Sequence, residues 1–118
     1  MIQMNTEKYH NRYRIKIKDG EKTVGSCYIA TTNSPYNHQL ELWAFYVEPE
    51  YRGKGLGTQI LKEATSYAQK FQKRYKSNRP LVLFVYKDNK RAINLYKRNG
   101  FEIVGDYRKD AYVMKYCA

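Results

Sequence analysis

Sulfur and imidazole are scarce in this chain: two cysteines and two histidines among 118 residues. Cys27 and Cys117 are too far apart to outline a disulfide framework. Neither they nor His10 and His38 show metal-ligand or Cys/His nucleophile spacing. No serine-centred elbow is present, so no metal and no acyl-enzyme chemistry is expected. Long hydrophobic runs are missing too. The longest, Leu81 to Tyr86, is far too short to cross a bilayer, and no membrane partner is expected. Met1 to Thr6 carries no apolar stretch behind a basic start, so no signal peptide is read and a cytoplasmic, intracellular location is expected. Acidic residues are also few, 11 against 22 Lys and Arg, leaving a net charge of +11. Such a balance favours anionic partners: cofactor phosphates, an acidic acceptor or nucleic acid.

The chain has 42% hydrophobic and 15% aromatic residues, with thirteen tyrosines, enough to pack a core. There is no repeat, linker or low-complexity tract, and residues 1–118 read as one domain with one small core. Residues 1–11 lack periodicity and read as a flexible tail. Arg12 to Lys18 alternates, with Tyr13, Ile15 and Ile17 on one face and cations on the other. Asp19-Gly20-Glu21 reads as a hairpin turn, Val24 to Thr31 as the returning strand, and Thr32 to His38 as a loop. Gln39 to Val47 is a third strand.

An amphipathic stripe of Leu56, Ile60, Leu61, Ala64, Tyr67, Ala68 and Phe71 then predicts a helix, ended by Ser77-Asn78-Arg79-Pro80. Leu81 to Val85, apolar throughout, reads as a strand buried on both faces and parallel to the third. Asp88 or Asn89 can cap a second helix that turns Ala92, Ile93 and Tyr96 inward and stops at Gly100. Phe101 to Val104 and Ala111 to Tyr116 close as a hairpin around Gly105 and Asp106. The predicted order is β-β-β-α-β-α-β-β, an α/β (α+β) fold.

The join between third strand and first helix carries the chemistry. Tyr51-Arg52-Gly53-Lys54-Gly55-Leu56-Gly57-Thr58 places three glycines in five residues beside two cations, Arg52 and Lys54. Glycines let the backbone aim N–H groups at an anion, and the helix start adds unpaired donors and a positive end. The spacing fits neither the dinucleotide fingerprint nor the Walker loop. It does fit Arg-x-x-Gly-x-Gly, at Arg52, Gly55 and Gly57, and so resembles the pyrophosphate loop of the GNAT superfamily of acyl-CoA N-acyltransferases. A second block is similar to the same family: Asn89, Ala92, Leu95, Tyr96, Gly100 and Phe101 match Asn-x-x-Ala-x-x-Leu-Tyr-x-x-x-Gly-Phe.

The resemblance implies a GNAT-like mixed sheet with parallel, splayed central strands and acetyl-CoA as co-substrate. It implies that pantetheine pairs with backbone near Phe45, Tyr46 and Val47. The pyrophosphate would rest on Arg52, Gly53, Lys54, Gly55, Leu56, Gly57 and Thr58, with Asn89 also touching the coenzyme. Tyr96 matches the family's general acid, and Glu41 stands at the offset of the base in its histone-acetyltransferase branch. Acetyl transfer to a primary amine by direct attack is the implied reaction. Family members usually begin with a strand and two acceptor-side helices, which are expected to be missing or vestigial here. An open acceptor side would suit a protein lysine or N-terminus, unless a second copy supplies the wall, so both monomer and homodimer are compatible. Arg14, Lys16 and Lys18 then read as charges guarding an exposed edge strand. The alternatives are a basic nucleic-acid-associated module, for which no RNP1-like pattern exists, and a CoA-binding protein without turnover.

Overall fold

The computed structural model describes residues 1–31 and 40–117. The expected loop Thr32 to His38 lies outside the described residues. One seven-stranded sheet organises the molecule, in the spatial order β1-β2-β3-β4-β5-β7-β6. Its strands are β1 (Ile2–Lys8), β2 (Arg12–Asp19), β3 (Lys22–Thr31), β4 (Leu40–Val47), β5 (Leu81–Tyr86), β6 (Phe101–Tyr107) and β7 (Ala111–Tyr116). Helix α1 (Leu56–Tyr75) joins β4 to β5, and α2 (Lys90–Arg98) joins β5 to β6. β4 and β5 are parallel, and the other neighbours are antiparallel. Mixed α/β character, the strand–helix order from β2 onward and the parallel pair agree with the sequence-based reading.

Both helices lie on one face of the sheet. Ile15, Ile17, Cys27, Ile29, Leu40 and Leu42 meet Ile60, Leu61, Ala64 and Ala68 there, and the same apolar cluster extends through Ile93 and Tyr96 to Phe101. The stripe predicted for α1 is the one buried, because its three- and four-residue steps put those side chains along one side of the helix. Tyr67 lies nearly parallel to Tyr13 at 3.9 Å between centroids, and the Tyr13 hydroxyl donates to Glu63 at 2.8 Å. Among the described residues no helix covers the opposite face.

Three expectations need correction. Residues 1–11 are not simply a tail, since Ile2–Lys8 pairs along its length with β2, from Ile2↔Asp19 to Lys8↔Tyr13. Its side chains are exposed at nearly every position, so it lacks the apolar alternation by which strands are read. Backbone pairing, the Met1 ammonium 3.3 Å from Asp19 and the Lys16–Glu7 ion pair accompany it instead. β1, not β2, is therefore the edge, and the β2 cations cannot be edge guards. Secondly, the final hairpin turns at residues 108–110, with Arg108 left-handed at φ 63°, while Gly105 lies inside β6 beside a bulge. Thirdly, β5 is not buried on both faces along its whole length: on the side away from the helices Val82 is buried, but Phe84 is half-buried and Tyr86 exposed.

The chain reverses from β1 to β2 with the Tyr9 N–H donating to the Arg12 carbonyl at 2.8 Å, and no helix lies between these strands. Stability rests on the α-side cluster. Ile60→Ala, at a position with no exposed surface, is expected to cost about 2–5 kcal/mol. Met4→Ala on exposed β1 is expected to stay within about 0.5 kcal/mol, both read from urea unfolding midpoints.

Candidate functional site: a cleft at the divergence of the parallel strands

Parallel pairing of β4 with β5 covers only Leu40↔Leu81, Glu41↔Val82 and Leu42↔Leu83. Beyond Leu42, the β5-facing side of β4 has no strand partner. Its register with β3 also slips there, and Ala44 takes the left-handed conformation at φ 55°. A non-glycine residue in that region stores strain of order 1–3 kcal/mol, which the surrounding packing must hold. The divergence opens a cleft of about 660 Å³ between the end of β4, the start of α1 and one side of α2.

The glycine loop forms one wall by backbone geometry. Gly53 (φ 78°) and Gly55 (φ 82°) are left-handed, as an L side chain would resist. Gly57 is required for another reason. A Cβ there would sit 3.1 Å from the Leu95 side chain and 3.2 Å from the Phe45 ring, tighter than ordinary contact, so any larger residue would push on both where α1 starts. Gly55 caps α1 without any side chain, and no acidic residue occupies the first turn. The first intrahelical bond brings Gln59 N–H to the Gly55 carbonyl, leaving the amides of Leu56, Gly57 and Thr58 without intrahelical partners.

Arg52 is pinned at the strand end. Its Nε donates to the Val47 carbonyl at 2.8 Å, and its guanidinium lies 5.5 Å from the Tyr46 ring centroid. Asn89 caps α2: its Oδ1 accepts from the Ala92 N–H at 3.2 Å, which leaves its amide donors for other partners. Tyr96, 6% exposed, meets Phe45 edge-on at 5.6 Å, and among the described residues its hydroxyl has no hydrogen-bond partner. Burial, with a smaller contribution from nearby Cys27, pushes its pKa well above the ordinary tyrosine range. Burial likewise raises the Cys27 thiol to about 12, so it stays protonated at neutral pH.

Of the residues singled out in the sequence, Phe45, Tyr46, Val47, Arg52, Gly53, Gly55, Leu56, Gly57, Thr58, Asn89 and Tyr96 line this cleft. Lys54 does not; its ammonium lies 5.3 Å from the Tyr51 ring. Glu41 does not either, because it alternates with Leu40 and Leu42 and so points to the open face. It stands one residue pair short of the last β4–β5 pair. Arg91 and Arg98 do line the cleft, yet they were missed as site residues. Their signal was helical spacing, since positions 91, 95 and 98 share a side with Ala92. Among the described residues the lining contains three arginines and no carboxylate, a field suited to an anion bearing several phosphates.

Tyr51, which also lines the cleft, anchors the loop. Its hydroxyl donates to Asp19 at 2.6 Å, and this bond, with the N-terminal ammonium next, holds the Asp19 carboxyl below its usual range. A depressed carboxyl stabilises the fold above its unfolded pKa of about 3.9, and the effect fades as pH falls through the lower folded value. Asp19→Asn should therefore narrow the stability difference between neutral pH and about pH 3, read from urea midpoints at both. Gly57→Ala should reduce coenzyme A affinity at least about tenfold by moving α1 off Phe45 and Leu95, as read by calorimetry.

Residues 2–101 match the family model described as the acetyltransferase (GNAT) family. The chain is 33% identical over 95 residues to the spermidine N(1)-acetyltransferase of Escherichia coli, a match covering 80% of this chain and 47% of that protein. It thus spans about half the length of that curated relative. A crystal structure of a GNAT-family acetyltransferase from Streptococcus pneumoniae superposes with a TM-score of 0.75 at 26% identity, covering 92% of this chain and 67% of that one. The PaiA N-acetyltransferase of Thermoplasma acidophilum, solved in complex with coenzyme A, shares the fold with a TM-score of 0.72 at 21% identity, covering 92% and 62%. With the matched segment taking in both the glycine loop and the Asn89–Phe101 block, the chain belongs to the GNAT acetyltransferase family.

Proposed function

We propose that this chain transfers an acetyl group from acetyl-CoA to a primary amine by direct attack. The observation that carries the reading is the buried Tyr96 hydroxyl, which has no partner among the described residues. It lies in the wall of a cleft whose far end is built from uncapped amides and arginines. A buried polar group without a partner is rare unless a ligand or water serves it. The chemistry of the cleft lining suits coenzyme A. Leu56, Gly57 and Thr58 amides with Arg52 would hold the pyrophosphate, the unpaired edge of β4 at Phe45–Val47 would meet the pantetheine amides, and Asn89 would donate from its side chain. Bound there, acetyl-CoA supplies a thioester acyl donor.

The reaction forms a nitrogen–carbon bond and breaks the carbon–sulfur bond. A backbone N–H of β4 beyond Leu42 would polarise the acyl oxygen. Tyr96, kept protonated by its burial, would give its proton to the departing sulfur. A lysine-like amine starts near pKa ~10.4, so at neutral pH its deprotonation costs about 4–5 kcal/mol, which a base or desolvation must cover. Glu41, on the open face at the last paired residues of β4 and β5, is the candidate for taking that proton, directly or through water. An amine reaching the thioester from that face would pass Glu41 while the coenzyme fills the helix side. The relative's substrate, spermidine, is a polycation. A chain of net charge +11 favours instead an amine on a neutral or acidic carrier, such as a protein lysine or N-terminus.

Acetyl-CoA at about 100 times its dissociation constant should add about 2.7 kcal/mol of stability in a thermal-shift titration. No shift with acetyl-CoA or CoA overturns the reading. In a thiol-release assay over lysine peptides, protein N-terminal peptides and polyamines, Tyr96→Phe should lower kcat about 10²-fold or more while CoA affinity holds. Because burial raises the Tyr96 pKa, its donor role should persist on the alkaline side up to at least the ordinary tyrosine range, about pH 10.

A further inference from the structure

The open face of the sheet carries an ordered surface of which the proposed acetyl transfer uses only Glu41. Inward residues fix what points outward: Cys27 and Ile29 turn Tyr28 to this face, Leu42 turns Trp43, and Leu83 with Val85 turns Phe84. Tyr28 and Trp43 are register partners across β3 and β4. Trp43 meets Phe84 at 5.3 Å between ring centroids, and Phe84 meets Tyr107 of β6 at 4.3 Å. Ala111, the small register partner of Tyr107, belongs to the strand between. Four aromatic side chains thus form a track from β3 to β6, half-buried at Tyr28, Phe84 and Tyr107 and 37% exposed at Trp43.

Cations cap both ends of the track. The Arg12 guanidinium lies 4.7 Å from the Tyr28 ring centroid, and that of Arg108 lies 5.2 Å from Tyr107. Arg14, Lys16 and Lys18 continue the positive row along β2 on the same face, alternating with inward Ile15 and Ile17. The carboxylates there are fewer. Glu7 is taken by Lys16, and Glu102 lies on the edge strand with the Cys117 thiol donating to it at 3.4 Å. Glu41 is the acid that β4 adds.

We propose that this face, which no helix among the described residues covers, binds single-stranded nucleic acid, bases stacking on the Tyr28–Trp43–Phe84–Tyr107 track and phosphates meeting the β2 cations and Arg108. Half-exposed rings on a sheet give bases an apolar surface that tolerates any sequence, while flanking Arg and Lys follow the backbone. Charge selects this occupant over a second copy, because two faces from chains of +11 each would repel. It also disfavours a polycation. A duplex keeps its bases stacked inside and cannot use the rings. The inference does not depend on coenzyme binding, which uses the other side of the sheet.

Trp43 is the only tryptophan in the chain, so its emission reports on the track alone. The test is a fluorescence titration of the full chain at low salt with a short oligothymidylate, a duplex of equal length and poly-glutamate. Single strands should quench Trp43 and bind at least about tenfold tighter than the duplex, with affinity falling steeply as salt rises. Phe84→Leu with Tyr107→Leu should weaken binding about tenfold or more, and Arg12→Gln with Arg14→Gln should weaken it and flatten the salt slope. An unchanged acetyl-CoA thermal shift would show that each variant remains folded, and circular dichroism would do so if that shift is absent in the parent chain. Binding without quenching, equal affinity for duplex or poly-glutamate, variants that bind like the parent, or no binding at all each overturns the proposal.

Discussion

The parting of β4 from β5 after Leu42 and Leu83 is the constraint on which the rest depends. Three residue pairs bind the two halves of the sheet into one body, and everything beyond them is held open. An unpaired strand edge inside a sheet is costly unless its backbone groups find other partners. Here the chain keeps that edge by filling around it. Phe45 packs on Tyr96, Arg52 bonds the Val47 carbonyl, and α1 begins close enough for Gly57 to touch Phe45 and Leu95. The strained Ala44 sits at the same place, where β4 slips its register with β3. Strain and open backbone are thus concentrated in the segment that borders the cleft, while the cluster around Ile15, Ile60 and Leu61 is fully buried.

The two faces of the sheet divide the remaining work. On the helix side, α1 and α2 meet above the divergence, and their side chains make a cleft with arginines and no carboxylate among the described residues. On the other side, aromatic side chains and the β2 cations stand in order with nothing described above them. Glu41 belongs to this second face although it lies next to the divergence. The same alternation that buries Leu40 and Leu42 denies it the cleft.

Elements whose side chains are buried on a regular period were readable. The α1 stripe and the alternation of β2 each state their own geometry, because burial repeats every three to four residues in a helix and every two in a strand. β1 was missed because neither of its faces is buried, and its pairing is mostly backbone, which leaves no pattern in residue type. The last turn was misplaced since Gly105 sits in a bulged strand, whereas Arg108, an unusual residue for a left-handed position, makes the reversal. At the site, Gly53, Gly55 and Gly57 were legible as a loop, but their different reasons were not. Two answer to backbone sign and one to a close approach between elements distant in sequence.

What the sequence by itself determined is local: a glycine-rich entry to a helix, a capped second helix carrying Tyr96, an apolar strand between them, and a strong excess of positive charge. These are set by neighbours along the chain, through backbone freedom, capping and periodic burial. Tertiary structure alone decided that Arg91 and Arg98 share a cleft with Arg52, that Glu41 faces away from it, and that Tyr28, Trp43, Phe84 and Tyr107 fall into line. Those relations depend on strand register and on which face the helices cover. Both are chosen by contacts between residues far apart in the chain, which no local pattern records.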